Sequence, residues 1–317
     1  MIQGYLAFAL STLGIYPRYI EPYLLRTTYL DLPLSPDLEG LRIVHFSDLH
    51  FHRGMSSRFL RKITSRIRRE RPDLILATGD FLCYSQLEDS ERLKAFLCTL
   101  QAPLGCYCSL GNHDYDAYVS RNSEGNYDVV TPPNFMEGAF RAFKALIQKR
   151  KRSGEITQKV KSVSLNAQFC ALLKETPFSL LENSSITLPI GLNLVGLGDY
   201  SLDRCRPETG FAGYNKKFPG IVLTHNPDSV PLLQSYPGQL VLSGHTHGEQ
   251  IHFPFPKALR KLSQKLARLE NSEYTRGFFS VGDKKLYVNR GLGSHRPFRF
   301  CSPPEILVVR VKENADR

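Results

Sequence analysis

The pattern of apolar and polar positions along the chain alternates between short buried runs and longer amphipathic stretches. Eight short apolar runs, rich in β-branched residues, predict buried strands. They are Leu41–Phe46, Leu74–Thr78, Cys106–Leu110, Leu192–Leu197, Ile221–Thr224, Gln239–Ser243, Lys285–Asn289 and Ile306–Val311. Helical patterns separate the first few, and Ser56–Arg71 is expected to be a crossover helix between two strands. This alternation predicts an α/β protein with a substantial parallel sheet.

Two other segments, Phe135–Arg152 and residues 257–268, have the pattern of basic amphipathic helices. The first places Met136, Phe140, Phe143 and Ile147 on one face, and the second begins a stripe of Leu259, Leu262, Leu266 and Leu269. Such helices fit an anionic bilayer surface. The alternative is a pair of ordinary surface helices whose apolar stripes pack on the core.

Residues 1–29 are expected to form an apolar, membrane-associating segment, because Met1 to Pro17 contains no charged residue. A helix of that length reaches only ~26 Å, short of the ~30 Å hydrocarbon core of a bilayer. The segment also lacks the basic start of a secretory signal. An interfacial anchor and a first helix packed on the core both fit this pattern.

Composition narrows the class of protein. The 317 residues are 42% apolar and 22% charged, which excludes a disordered tail, a collagen-like fibre and a polytopic membrane protein. Seven cysteines without a CxxC spacing argue against a disulfide framework. The net charge of +11 is concentrated in residues 58–71, 141–161 and 257–268, so it predicts a localised anionic partner.

Polar side chains follow five of the predicted strands. They are Ser47-Asp48-Leu49-His50, Gly79-Asp80, Gly111-Asn112-His113-Asp114, His225-Asn226 and Gly244-His245-Thr246-His247. Because ligands of open α/β sheets bind beyond the carboxyl ends of strands, these residues are expected to converge on one crevice. So many buried polar groups need partners, and a pair of divalent cations with mixed nitrogen and oxygen ligands supplies them.

These motifs closely resemble the signature of the calcineurin-like metallophosphoesterase family, from about Leu30 to about Val311. The resemblance implies a domain spanning residues 30–317, with a four-layer α/β/β/α sandwich and a di-metal centre at one edge. It implies that Asp48, His50, Asp80 and His247 hold one metal and that Asp80, Asn112, His225 and His245 hold the other. His113 would be catalytic, acting on the leaving oxygen, with Asp114 orienting it. The metals are expected to be Mn²⁺, although affinity alone favours Zn²⁺ or Cu²⁺.

Within that family, the chain is similar to bacterial hydrolases of lipid-linked substrates. The apolar start and the long stretch at about 115–171, expected to be a helical lid insertion, favour a nucleotide substrate with two acyl chains. The resemblance implies cleavage of the pyrophosphate bond of UDP-2,3-diacylglucosamine, a lipid A precursor, to UMP and 2,3-diacylglucosamine 1-phosphate. It places the enzyme peripherally on the anionic cytoplasmic face of the bacterial inner membrane. The motifs indicate no oligomeric state.

Several other residues are candidates for substrate contacts. Arg290 and Arg299, with His295 and Arg296 nearby, are expected to meet the diphosphate or uracil, although surface charge explains them equally well. His52 is a candidate phosphate contact. Asp199 matches a family position for which the sequence indicates no role.

Two rival functions follow from the same sequence. A generic phosphodiesterase or nuclease of the family would use the basic windows to grip nucleic acid, but they lack the interleaved aromatics of single-strand binders. A non-catalytic scaffold would have lost ligands, whereas every expected position is filled. Phe81 and Leu82 follow Asp80 where protein phosphatases carry a second Asp and an Arg, which argues against a phosphoprotein substrate.

Overall fold

Two mixed β-sheets lie at the centre of the computed structural model, which describes residues 14–133, 137, 154–252, 270–271, 273–294 and 297–312. In chain order the strands are β1 (Arg26–Leu32), β2 (Arg42–Phe46), β3 (Leu74–Thr78), β4 (Cys106–Ser109), β5 (Val119–Arg121), β6 (Tyr127–Val129), β7 (Phe178–Leu180), β8 (Ser184–Leu188), β9 (Leu192–Gly196), β10 (Gly220–Leu223), β11 (Leu240–Ser243), β12 (Gly277–Val281), β13 (Lys284–Val288) and β14 (Glu305–Val311). All eight predicted strands are present, with bounds that differ by one residue at most at either end.

The strand order places the motif-bearing strands in two different sheets. The first sheet has the order β1-β14-β2-β3-β4-β7, and β2, β3, β4 and β7 run parallel. The second has the order β12-β13-β11-β10-β9-β8, with β9, β10, β11 and β13 parallel. A strand pair, β5-β6, stands apart from both.

The two sheets pack face to face through alternating side chains of their strands. In β3, Leu74 and Leu76 point into the core between the sheets, whereas Ile75 and Ala77 point into the core under the helices. A strand that is covered on both faces has apolar residues at successive positions, which explains the continuous apolar runs in the sequence. Burying each such side chain stabilises the fold by roughly 1.5–3 kcal/mol.

Helices cover the outer face of each sheet. They are α1 (Ser57–Arg69), α2 (Ser90–Cys98), α3 (Gln158–Lys161), α4 (Ala167–Lys174) and α5 (Pro207–Gly210), with shorter helical turns at Tyr16–Ile20, Glu21–Tyr23, Pro36–Leu38, Tyr200–Leu202, Pro227–Leu233 and His247–Glu249. Helices α1, α2 and α4 pack on the first sheet, and Pro227–Leu233 packs on the second. The described chain therefore has the α/β/β/α layers that the sequence predicted.

The insertion expected at about 115–171 differs from the predicted helical lid where it is described. It begins with the β5-β6 hairpin and ends in α3 and α4. Helix α4 runs across the predicted end at residue 171 and buries Phe169, Leu172 and Leu173 in the core of the first sheet. Apart from Glu137, the predicted helix at residues 135–152 lies in the undescribed residues 134–136 and 138–153. The basic window at residues 257–268 lies in the undescribed residues 253–269.

The N-terminal segment packs on the loop before β14, although residues 1–13 lie outside the described chain. The backbone N–H of Arg299 donates to the Pro17 carbonyl at 2.7 Å, and Arg18 donates to the Pro297 carbonyl at 3.1 Å. Strand β1 already begins at Arg26, so the predicted domain boundary at residue 30 falls inside a strand. Across the described ranges, the helices are too short or too polar to cross a bilayer.

Candidate metal centre

The carboxyl ends of five strands, three from the first sheet and two from the second, meet at one edge of the sandwich. Asp48 and His50 follow β2, Asp80 follows β3, Asn112 and His113 follow β4, His225 follows β10, and His245 and His247 follow β11. All are buried except His245, which is half-buried. The structure therefore brings together every residue for which the sequence analysis predicted metal binding or catalysis.

The backbone at this edge is strained. Positive φ angles, between 43° and 70°, occur at Asp48, His50, Asp80, His245 and His247. Each such conformation costs a residue other than glycine roughly 1–3 kcal/mol, and such strain concentrates at functional sites. The flanking glycines permit the close approach, because a Cβ on Gly111 would lie 2.3 Å from Asp80 Oδ1.

Asp80 occupies the centre of the cluster. Its Oδ2 lies 3.2 Å from His225 Nε2, 3.4 Å from His50 Nε2 and 3.9 Å from His113 Nε2. Its Oδ1 accepts a hydrogen bond from the backbone N–H of His113 at 2.9 Å. One carboxylate oxygen therefore faces histidines from both sheets, which is the geometry that a bridging ligand requires.

On one side of Asp80 lies the group Asp48, His50 and His247. His247 Nε2 is 3.0 Å from His50 Nε2 and 3.5 Å from Asp48 Oδ1. Asp48 also accepts from the backbone N–H of His245 at 3.1 Å, which ties β2 to β11. One ligand atom from each member lies within 4.8 Å of the others, close enough to bind one cation.

On the other side lies the group Asp80, His225 and His245, extended by Asn112. His245 Nδ1 is 3.2 Å from His225 Nε2 and 3.1 Å from Asn112 Oδ1. The Asn112 amide nitrogen donates to the Val119 carbonyl at 2.8 Å, which leaves its oxygen facing the site. This group also satisfies the 4.8 Å spacing.

Backbone carbonyls orient two of the imidazoles. His50 Nδ1 lies 3.2 Å from the Leu82 carbonyl, and His225 Nδ1 lies 2.8 Å from the Thr78 carbonyl. A carbonyl can only accept, so each Nδ1 carries a proton and each Nε2 points into the cluster. This is the usual arrangement of metal-binding histidines.

The ionisation of the cluster also favours cations. Burial raises the pKa of Asp80, but the positive charge of His225 outweighs burial and holds the pKa well below its usual range. Burial alone would lower the pKa of His225, and Asp80 raises it well above normal instead. Burial lowers the pKa of His245 to about 3, so its imidazole is neutral at physiological pH.

The donor set fits a pair of divalent cations. Carboxylate oxygens and imidazole nitrogens converge from all sides, and a cation satisfies such a cluster where protons alone would leave lone pairs facing each other. A bound cation would displace the proton that His225 shares with Asp80. Asp80 Oδ2 lies within 3.4 Å of an imidazole of each group, His50 and His225, which is the position of a ligand shared by two metals.

Comparison with known families agrees with this geometry. A profile described as "Calcineurin-like phosphoesterase" matches residues 41–249, more than half of the chain and the whole of the metal cluster. The chain belongs to the calcineurin-like phosphoesterase family. It is therefore a metal-dependent phosphohydrolase, and the sequence-based assignment to this family is confirmed.

Similar proteins are found in several bacteria. The UDP-2,3-diacylglucosamine pyrophosphatase LpxG of Chlamydia trachomatis serovar D is 44% identical over 303 residues, which are 93% of this chain and 92% of that protein. The uncharacterized metallophosphoesterase YkuE of Bacillus subtilis is 29% identical, covering 94% and 89%. The phosphodiesterase YaeI of Escherichia coli is 24% identical, covering 85% and 82%.

A backbone N–H fixes the tautomer and orientation of His113. The backbone N–H of Tyr84 donates to His113 Nδ1 at 2.9 Å, so the ring proton of the neutral imidazole lies on Nε2, which faces Asp80. Burial lowers the pKa of His113 to about 4, which keeps the ring neutral. The rings of His50 and Tyr118 each lie with their centroids 4.6 Å from that of His113.

Asp114 does not have the orienting role expected from the family resemblance. Its Oδ1 accepts from the backbone N–H of Leu82 at 2.9 Å and its Oδ2 from that of Gly111 at 3.0 Å. The carboxyl therefore fixes the two loops that follow β3 and β4. The orienting partner of His113 is the Tyr84 backbone, which no side-chain motif in the sequence could indicate.

The two arginines expected to contact substrate are both engaged within the protein. Arg299 is fully buried, and its guanidinium donates to the carbonyls of Arg290, Gly291, Gly293 and Ser302. This geometry gives Arg299 a structural role in place of the substrate contact expected from the sequence. Arg290 Nη2 pairs with Glu305 Oε1 at 2.9 Å and remains partly exposed.

The loop that Arg299 braces also supports the metal cluster. Backbone N–H groups of Leu292 and Gly293 donate to the carbonyls of Ser47 and Asp48. Glu21 accepts from the backbone N–H of Ser302 at 2.6 Å, and the Ser302 hydroxyl donates to the His247 carbonyl at 2.8 Å. Glu21 and Ser302 were missed by sequence reasoning because no local pattern connects positions so far apart.

A small cavity of about 50 Å³ opens to solvent beside Gly293, whose backbone N–H donates to the Asp48 carbonyl. Its apolar wall consists of Pro22, Tyr23, Met55, Phe59, Leu292 and Pro297. His52 and Arg299 lie on its polar wall. His295 and Arg296 lie outside the described residues.

Asp199 is buried, and its Oδ1 accepts from the Ser201 N–H at 2.7 Å.

Proposed function

We propose that this phosphoesterase cleaves the pyrophosphate bond of UDP-2,3-diacylglucosamine, releasing UMP and 2,3-diacylglucosamine 1-phosphate. The observation that carries the proposal is the 44% identity to a UDP-2,3-diacylglucosamine pyrophosphatase over 93% of this chain. The complete set of Asp, His and Asn side chains at the strand ends supports it. Hydrolysis of simpler phosphodiesters is the second candidate, because a phosphodiesterase is also similar over 85% of the chain.

The arrangement of side chains accounts for hydrolysis at the α-phosphorus. When bound, two divalent cations would activate a water molecule and offset the charge of the diphosphate. The water oxygen bonds to the α-phosphorus as the bond to the bridging oxygen breaks. His113 Nε2–H donates a hydrogen bond to the departing oxygen and stabilises its developing negative charge, since Tyr84 holds the ring with this nitrogen facing Asp80. Arg290 remains a candidate contact for the diphosphate.

Asp48, His50, Asp80 and His247 would hold one cation, and Asp80, Asn112, His225 and His245 the other. Three of these seven ligands are oxygen donors and four are imidazoles. Mn²⁺ accepts such a mixed set, so we expect Mn²⁺ as the resident metal. Asp80 would belong to both ligand sets and would therefore fix their relative position.

The surroundings of the centre suit a lipid substrate. The cavity beside Gly293 is too small to enclose an acyl chain, but its apolar wall offers a surface against which a chain can lie. Ile15, Tyr19 and Tyr23 of the N-terminal segment are exposed large hydrophobic side chains, and Tyr23 lines this cavity. We therefore place the enzyme peripherally on the cytoplasmic face of the inner membrane.

The decisive experiment compares UDP-glucosamine substrates that carry two, one or no acyl chains, in detergent with Mn²⁺. We expect release of UMP to be fastest with two chains and to require the metal. The Asp80→Ala variant serves as the inactive control. Equal rates of UMP release from all three substrates would show that the enzyme does not recognise the acyl chains, contrary to the proposal. Hydrolysis of an oligonucleotide without release of UMP from the lipid nucleotide would favour the phosphodiesterase alternative.

A further inference from the structure

Helix α1 has two chemically different faces. Phe59, Leu60, Ile63 and Ile67 are buried against the first sheet, as the crossover pattern predicted. At 100° per residue the opposite face consists of Arg58, Arg61, Lys62, Ser65, Arg68 and Arg69. The five basic side chains on this face are all exposed, and the face carries no acidic residue.

None of these five side chains forms an ion pair with another residue that the structure describes. Ion pairs among the described residues involve other basic groups, such as Arg310 with Asp31 and Lys94 with Glu175. Glu70, which follows the helix, accepts from the Tyr29 hydroxyl at 3.1 Å instead. A surface helix normally mixes both signs of charge, so an outer face with five cations indicates an anionic partner.

An apolar stripe lies beside this basic face. Ile15, Tyr19 and Tyr23 recur every four residues in the N-terminal segment and are 40%, 67% and 38% exposed. Tyr23 contacts α1 directly, because its ring centroid lies 5.5 Å from that of Phe59 and its carbonyl accepts from Lys62 Nζ at 2.6 Å. The Tyr23 end of the stripe therefore adjoins the basic face at Lys62.

We propose that the outer face of α1 and the stripe Ile15, Tyr19 and Tyr23 form a docking surface for an anionic lipid bilayer. The proposal rests on the proposed function, since a lipid nucleotide reaches the enzyme from a membrane. The cations face anionic headgroups, and the tyrosines enter the headgroup boundary. Both elements also line the cavity beside Gly293, through Tyr23 and Phe59.

The test measures partitioning onto vesicles by flotation. We expect the protein to bind phosphatidylcholine vesicles that contain about 30% phosphatidylglycerol, and to bind pure phosphatidylcholine far more weakly. The variant Arg58→Gln/Arg61→Gln is expected to lose roughly 10- to 30-fold in partitioning onto the anionic vesicles. Added salt should weaken vesicle binding by the wild-type protein more than vesicle binding by this variant, because the variant has fewer charges to screen. Tyr19→Ser is expected to weaken binding independently of salt.

The matched control is Lys216→Gln/Lys217→Gln, which removes two exposed charges from the loop before β10, at the opposite end of the second sheet from the site. Equal partitioning of the two double variants, or equal binding to neutral and anionic vesicles, would overturn the proposal. Loss of RNA oligonucleotide binding in the α1 variant with unchanged vesicle binding would assign the surface to nucleic acid. Release of UMP from detergent-dispersed substrate tests the proposed function separately, because no bilayer is present.

Discussion

The two sheets contribute different chemistry to the same site. The first sheet supplies all the oxygen ligands, from Asp48, Asp80 and Asn112, whereas the second supplies only imidazoles, from His225 and the His245-His247 pair. The exception is His50, which reaches across from β2 to within 3.0 Å of His247. Neither sheet by itself holds a complete ligand set. The metal centre therefore depends on face-to-face packing of the sheets as much as on the motifs.

Loss of Asp80 should have the largest effect, because its Oδ2 is the atom that faces both sheets. Asp80→Ala is expected to reduce turnover by roughly 10³-fold or more and to weaken binding of both cations. Metal content by elemental analysis and UMP release measure the two effects. Circular dichroism is expected to show an intact fold. Asp31→Asn, an exposed carboxylate on β1, should change nothing, and full activity of Asp80→Ala would refute the central role of this residue.

A substitution of His113 is expected to reduce catalysis without reducing metal binding. His113→Ala is expected to lower kcat by roughly 10²- to 10³-fold, because it removes a hydrogen-bond donor to the departing oxygen, while the other ligands still hold both cations. Tyr118→Phe keeps the ring that packs on His113 and is the control. If His113→Ala also lost a metal ion, the residue would be a ligand of the site instead of a hydrogen-bond donor to the substrate.

A substitution of Glu21 tests the metal affinity of the group Asp48, His50 and His247 without changing a ligand. Glu21→Gln should weaken its hydrogen bonds to the loop that holds the His247 carbonyl through Ser302. We expect about a tenfold loss of affinity in one step of a calorimetric Mn²⁺ titration and no change in the other step. Glu70→Gln is the matched surface control. Equal weakening of both steps would show that the two groups do not bind metal independently.

The last expected effect is on stability and leaves the site untouched: it lies at the crossover between the sheets, where Glu182 lies between β7 and β8. Burial raises the pKa of Glu182 from 4.5 to about 7, although the Tyr115 hydroxyl donates to it. The folded state therefore prefers the protonated carboxyl. This contribution is fully present below about pH 4.5 and is lost as pH rises through about 7, by at most about 3 kcal/mol.

Urea unfolding at pH 5 and pH 8 tests this contribution of Glu182. Glu182→Gln should reduce the pH dependence of the unfolding free energy, since it removes the titrating group. Glu175→Gln replaces an exposed carboxylate that precedes β7 and provides the comparison. An unchanged difference between the two pH values in Glu182→Gln would show that Glu182 is ionised throughout.

Strands and ligands were the predictable part of this protein. Leu74–Thr78 was predicted to the residue, because a strand covered on both faces is a continuous apolar run. The edge strands β8 and β12 escaped detection since their burial alternates and their sequences are more polar. Arg299 was predicted to contact substrate, but it donates to four backbone carbonyls. The sequence does not distinguish these two roles, because both require only an arginine near the site.

The sequence by itself determined the chemistry of the site, since Asp, His and Asn at strand ends beside tight glycine turns allow few functions other than metal binding. Only the tertiary structure decided how these groups combine. Which strands share a sheet depends on contacts between residues far apart in the chain, such as β2 with β14 and β11 with β13. The same holds for the orientation of His113, which rests on a backbone N–H that any residue at position 84 except proline would supply.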